Sequence, residues 1–400
     1  MTSFYFVEPV DSLFVRGNLA FGDAGEHGTG PMPPPPSLFA GAFRSAILGQ
    51  DAAALDFFAQ TGAVGDARLG AALGKLDPKT GAVIQAGAFR VAWVSLAGLR
   101  TVKGVESVEP VFTLPADLVK LADGFAPLKP MAAVPLAADG RDLPCVAVLR
   151  THKQTKPEGG VYLSQAGWRG HLAGQLPDYH AGAIMAADLH ARDPRLGIGL
   201  NATTGTAESG LIYTTEGYAF NPPAPTASPR PFTATGFLVG LQGADGLLPE
   251  TGFLRLGGDG RGARYQRVDH QPPAPPLDAI ARSGRFRLIL ATPGLFGDGW
   301  LLPGIQCEGG HHLWRAAGCT ARLVCAAVPR REIVSGWDLF AWRPKDAQRA
   351  APAGSVYWFE DLQGPADKLV EWVAGGLWGD HLNPQRRAEG YNLAWLAAWV

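Results

Sequence analysis

The stretch TATGFLVGLQG (233–243) reads as a strand, and it runs on to the glycine-rich segment LGGDGRG (256–262). The same progression returns near the end of the chain. There PAGSVYWFEDLQG (352–364) leads to GGLWG (375–379), with Arg386, Arg387 and Gly390 downstream. Strand, short element and glycine loop with arginines therefore appear twice, which is what a duplicated βαββαβ module leaves in a sequence. The fold expected is α+β, in two modules.

Between the two copies lies the proline-rich run HQPPAPPLD (270–278). Its prolines fix φ and remove backbone donors, which suits an extended linker better than a sheet interior. It divides the chain into modules at 1–270 and 280–400. The first module is the longer because of a large insertion at about 99–192, where polar, Pro- and Gly-containing stretches alternate with short apolar runs. Ahead of it, Ser3 to Gly17 reads as a strand and turn. Pro33 to Pro36 then end at Ser37, which stands where an N-cap belongs. Leu38, Phe39, Ala42, Phe43, Ala46 and Ile47 follow at helical spacing, with Arg44 on another face and Gly49 as the stop. Residues 88–98 and 285–293 read as strands, 195–220 as two strands joined by a polar loop, and 366–375 as a short helix. The runs at 321–329 and 332–340 read as a strand pair.

Composition sets the limits. Of 400 residues, 46% are hydrophobic and 18% charged, which is enough apolar matter for real cores. The 52 glycines and 33 prolines then read as turns rather than disorder. No run approaches the roughly 20 apolar residues of a membrane helix, and the N-terminus lacks the marks of a signal peptide, so a cytoplasmic location is expected. Four cysteines make no disulfide framework. The net charge of −1 gives no general attraction to phosphate. Between Phe253 and Arg287, however, Arg255, Arg261, Arg264, Arg267, Arg282, Arg285 and Arg287 stand against Asp259, Asp269 and Asp278, a local excess of cations.

Taken in order, DSLFVRG (11–17), the 33–48 segment, 195–213, FLRLGGDGRGA (253–263), 291–304, VSGWDLFAWRPK (334–345), 352–360 and GYNLAW (390–395) resemble the RAMP superfamily of CRISPR proteins. Within it the likeness is to the Cmr-type (type III-B) subunit at the 5′ end of the guide. The resemblance implies two ferredoxin-like (RRM-like) modules, each closing with a glycine-rich loop that faces RNA. It also implies a noncatalytic subunit, without cofactor, that grips the 5′ repeat-derived handle of the crRNA in antiviral defence. Its implied neighbours are the large polymerase/cyclase-type subunit and a backbone RAMP subunit.

The RNA-binding candidates are Arg16, Ser37, Arg44, Gly257, Gly258, Gly260, Arg261, Arg264, Gly375, Gly376, Arg386 and Arg387. Glycine lets a nucleic-acid backbone come close and lets N–H groups turn toward phosphate, and arginine adds fork-shaped donors. Each has a plainer alternative: an ordinary turn for the glycines, a salt bridge for Arg16 and Arg44, a helix cap for Ser37. Trp378 and Tyr391 flank the second glycine loop as stacking candidates, with core packing the competing reading. The RRM stacking signature is missing from the sequence. Cys307, His311, His312, Cys319 and Cys325 do not match a paired zinc framework, and no metal is expected. The alternative function is a RAMP endoribonuclease acting on precursor crRNA, for which His27, His152 and His180 are candidate general acids or bases.

Overall fold

The Thr2–Pro9 strand alternates its side chains between two interiors: Phe4 and Phe6 face one, Tyr5 and Val7 the other. The computed structural model to which it belongs describes residues 1–15, 27–28, 32–132, 143–151, 158–201, 203–220, 231–338 and 342–399. Arg16, His152 and the side chain of His27 lie outside the described residues. The chain is mixed α/β with antiparallel sheets. In the first sheet the strands run Ala183–Met185, Val161–Leu163, Val105–Thr113, Arg90–Val102, Ala234–Gln242, Thr2–Pro9, Gly262–Val268 and Thr251–Arg255. In the second they run Ile305–Glu308, His311–Ala316, Cys319–Ala327, Val356–Gln363, Phe286–Leu290 and Ala394–Ala398.

The repeat is visible in these orders. In the first sheet Ala234–Gln242 lies between Arg90–Val102 and Thr2–Pro9, with Gly262–Val268 on the far side of Thr2–Pro9. In the second, Val356–Gln363 lies between Cys319–Ala327 and Phe286–Leu290, with Ala394–Ala398 beyond. The two quoted sequence stretches thus occupy the same place in each sheet. The helices differ. The first half keeps the crossover helix Pro36–Leu48 and has the Thr251–Arg255 strand where a second would stand. The second half keeps Asp367–Ala374 and puts Ile305–Glu308 and His311–Ala316 in place of the first. Gly304, Gly309, Gly310 and Gly318, all at positive φ, turn that segment back on itself and break any helix there.

The two sheets face each other. Phe4, Phe6, Trp93, Phe112 and Leu238 meet Ile289, Val356, Trp358 and Ala397 in one core, and Trp395 sets its ring edge-on to Trp93 at 4.7 Å. On the outer face of the first sheet, Phe39 and Phe43 of the Pro36–Leu48 helix pack on Phe237, Tyr5 and Tyr265. On the outer face of the second, Leu369 and Trp372 pack with Trp314 and Phe359. A buried ion cluster joins the halves: the Arg287 guanidinium bonds the Asp117 carboxylate and the His171 carbonyl (2.6 Å), and His171 Nε2 lies 3.0 Å from Asp117.

Three local readings need correction. The helix begins at Pro36 with Pro35 as its cap, because a proline at the first helical position has its φ preset and no N–H to satisfy; Ser37 is inside the first turn and is not the cap. The 321–329 and 332–340 runs do not pair. Cys319–Ala327 sits between His311–Ala316 and Val356–Gln363, while Glu332–Val334 pairs with Gln348–Ala350. The 99–192 stretch is not wholly separate from the first sheet, since Val105–Thr113, Val161–Leu163 and Ala183–Met185 extend it.

Candidate nucleic-acid interface

The first glycine segment is a tight turn between Thr251–Arg255 and Gly262–Val268. Gly257 has φ +83°, and a Cβ there would lie 2.5 Å from the Phe14 carbonyl oxygen, so only glycine fits. Gly258 N–H donates to that same carbonyl at 2.8 Å, and Asp259 and Gly260 also hold positive φ. Asp259 and Gly260 face solvent. Behind the turn, the Phe14 ring is clasped by two guanidinium groups, Arg195 at 5.3 Å and Arg261 at 5.4 Å. Arg195 comes from the long hairpin His190–Leu200/Ala207–Phe220 and is oriented by Asp193 at 2.8 Å, whose carboxylate also accepts from Ser12. Arg261 pairs with Asp11. Hydrogen bonds from Ser12 and Arg195 hold Asp193 below the usual carboxylate range.

The cation excess seen in the sequence does not survive as a patch. Arg261 pairs with Asp11, Arg264 with Glu8, Arg267 with Glu250, Arg285 with Glu360 and Arg287 with Asp117. Four of these carboxylates come from distant chain segments, and Glu250 lies just ahead of the window, so a count over 253–287 cannot see them.

The second glycine segment is different in kind. Gly375 N–H donates to Glu371 O, Gly376 N–H to Val373 O, Leu377 N–H to Asn392 O and Trp378 N–H to Gly376 O, so these donors are used internally. Gly376 is buried beneath Trp378. Gly375 and Gly376 therefore do not form the phosphate cradle expected of them. Nor do the two segments meet. The first lies where Pro9 pairs with Ala263, while Ala374 O accepts from Arg90, which sits beside Gln242 and Thr2 at the opposite end of the sheet. The length of the Thr2–Pro9 strand separates these ends, on the order of 20 Å.

The remaining candidates gather at the junction of the halves. Ser37 bonds the Tyr391 hydroxyl at 3.1 Å, and Tyr391 is fully buried, so that ring is core. The Arg44 guanidinium lies over Phe89 at 5.1 Å; burial lowers its pKa from the ordinary value, and Glu389 opposes the shift. Burial also lowers Arg90, with Arg387 nearby adding to the effect. Arg387 is exposed. Arg386 is 4% exposed and bonds Glu389 (3.1 Å), Gln348 (2.9 Å) and the carbonyls of Ser335 and Asp346. Its donors are turned inward, and it is corrected from an RNA contact to a structural anchor. Sequence reasoning passed over Phe14, Arg195, Trp337 and Trp342. Phe14 and Arg195 lay inside the quoted motifs but revealed no pairing, and the two tryptophans could not be told from core residues.

His180 is exposed and stacks edge-on to Tyr179, whereas His171 and His312 are buried. Cys325 is in the shared core and Cys319 donates to Pro365 O; no cluster of three metal-ligating side chains occurs among the described residues. No helix among the described residues is long and apolar enough to cross a membrane.

Two antiparallel sheets that share an order of four strands, packed face to face with an arginine-flanked glycine turn at one end, define a mixed α/β protein. The model of the family described as CRISPR-associated protein (Cas_Cmr3) matches residues 5–399. The chain belongs to that family. Among solved structures, it is similar to a chain in the cryo-EM structure of the Type III-B Cmr-beta bound to cognate target RNA and AMPPnP, with 12% identity, 98% of this chain and 95% of that chain covered, and a TM-score of 0.49. A second, Cmr-beta bound to cognate target RNA, gives 12% identity, 98% and 96% coverage and a TM-score of 0.47. No curated protein matches.

Proposed function

We propose that the chain is a noncatalytic, cytoplasmic subunit of a type III-B CRISPR ribonucleoprotein that binds the 5′ repeat-derived handle of the crRNA. In this reading it contacts the large polymerase/cyclase subunit on one side and a backbone RAMP subunit on the other. The two sheets are two degenerate ferredoxin-like modules, each of which has kept one of its two helices. The observation that carries the RNA reading is the exposed Gly257–Gly262 turn with Phe14 and two guanidinium groups behind it. A phosphodiester can approach the side-chain-free turn, and Arg195 and Arg261 can exchange a carboxylate for a phosphate without moving far. Membership of the Cas_Cmr3 family supports this reading.

The test is photocrosslinking of the handle in a reconstituted complex. Arg195→Ala with Arg261→Ala is expected to weaken handle binding about tenfold or more, since one charge-assisted hydrogen bond contributes about 1.5–3 kcal/mol. A handle that crosslinks to this chain with unchanged affinity in the double variant would remove the turn from the interface.

A further inference from the structure

We infer that a second RNA surface lies on the two-stranded ribbon formed by residues 330–338 and 342–350, where Trp337 and Trp342 receive unpaired bases of a single strand while arginines hold its phosphates. This rests on the RNA-binding reading above and deepens it.

The ribbon is built from Glu332–Val334 paired with Gln348–Ala350, continued by Trp337–Asp338 paired with Arg343–Pro344. Apolar rings normally go inward, and a Trp left in water is informative. Trp337 is 41% exposed and Trp342 is 74% exposed, the two exposed tryptophans among the described residues. Their centroids are 6.0 Å apart with the planes at 86°, an edge-to-face contact that occupies one ring face and leaves the others uncovered by this pair. A flat ring face open to solvent is what a base needs for stacking.

The charge around the rings has the matching sign. Arg330, Arg331, Arg343 and Arg349 are all exposed, and none of the four is ion-paired among the described residues. The contrast with Arg261, Arg264 and Arg267 is sharp, since each of those has its carboxylate. Arg343 donates to the Thr80 carbonyl at 3.4 Å and stands across the ribbon from Asp338. Glu332, Asp338 and Asp346 share the ribbon with Arg330, Arg331, Arg343, Lys345 and Arg349, so the cations outnumber the acids. Free guanidinium groups beside exposed aromatic faces suit a polyanion with π-faces better than an apolar protein surface.

The ribbon is also held in place. Arg386 grips both of its strands through the Ser335 carbonyl, Gln348 and the Asp346 carbonyl, and Lys345 pairs with Glu389. Beside it is a polar cavity of about 120 Å³ lined by Gln348, Arg349, Trp378, His381, Asn383 and Arg386. In its wall the Trp378 indole Nε1 is buried and has no hydrogen-bond partner among the described residues. Arg386 is thus a positioning residue: it presents the ribbon without touching RNA.

The experiment uses the full chain and a 5′-fluorescein-labelled eight-nucleotide single-stranded RNA, alongside the same strand carrying abasic sites, read by anisotropy at fixed salt. Trp337→Ala with Trp342→Ala is expected to lower affinity about tenfold or more per ring, and the Phe substitutions to retain most of it. The abasic strand should bind the unmodified chain correspondingly less well, a comparison that stands even if the Ala variant fails to fold. Equal affinity for intact and abasic strands would overturn the inference, as would loss of neighbouring subunits from the Trp variant with RNA affinity unchanged. No binding of either strand by the unmodified chain would overturn it too. The handle reading fails separately, when the guide does not crosslink to this chain in the assembled complex.

Discussion

Asp117 lies between His171 and Arg287 with 2% of its surface exposed. Burial alone would raise its pKa, but His171 and the Arg287 guanidinium beside it outweigh that and hold it at about 2. The carboxylate therefore contributes stability above the pKa of about 3.9 that it has unfolded, and that contribution fades as pH falls toward 2. Arg287, 7% exposed, depends on it for charge balance. Asp117→Asn leaves that guanidinium buried against a neutral amide and is expected to cost about 3–5 kcal/mol, measurable as a lowered denaturation midpoint. A wild-type midpoint in the variant would mean that the Ala398 and His171 carbonyls alone satisfy Arg287. None of this was legible in the sequence, where Asp117, His171 and Arg287 lie in three unrelated segments. Arg386 makes the same point: a cation next to a glycine loop looks like a phosphate ligand until its carbonyl partners are seen.

At the scale of elements, strong local signals read correctly. The spacing of Phe39, Phe43 and Ile47 gave a helix, and those side chains are buried. The runs at 234–242, 286–290 and 356–363 are strands with continuous buried stretches. What failed was pairing, because it depends on residues far apart. Cys319–Ala327 finds its neighbours in the sheet rather than in the next apolar run, leaving Glu332–Val334 to form a separate ribbon. The glycine turns show how composition can mislead in the same way. Gly257 carries a positive φ with open loop beyond it, while Gly376 carries a positive φ inside a packed corner. Gly257→Ala is expected to destabilise the chain by more than about 1 kcal/mol and to disturb the Phe14 clasp, seen as a shifted thermal midpoint. Gly260→Ala, with nothing within 4 Å of the added Cβ, should suffer mainly the backbone strain and so lose less. Equal losses for both would show that the close approach to Phe14 contributes little.

Across the whole molecule, titration has a direction. Burial depresses His190 to about 4, with Arg192 adding to the effect, and depresses His270 to about 4, with Arg169 adding. An unfolded histidine takes up its proton near pH 6.5, so between about 6.5 and 4 the unfolded chain binds more protons than the folded one, and stability must fall as pH falls. Denaturant midpoints at about pH 7 and about pH 5 should therefore differ, the lower one at the acidic end of that window. A flat profile across it would show that both rings are solvated. That the stretches at 233–243 and 352–364 are strands was readable, and the structure gives them like places in their two sheets. That the two sheets face each other was not, because nothing local says that one sheet's apolar face is meant for the other.

That mutual covering has a cost and a benefit for the molecule's evolution and handling. Either half excised at the proline linker would expose Phe4, Phe6 and Trp93, or Ile289, Val356 and Trp358, to water, and such a fragment would aggregate or seek a copy of itself. The same closure leaves the facing sheet floors inaccessible to any large ligand, so a partner could reach this protein only along its rims and outer surfaces.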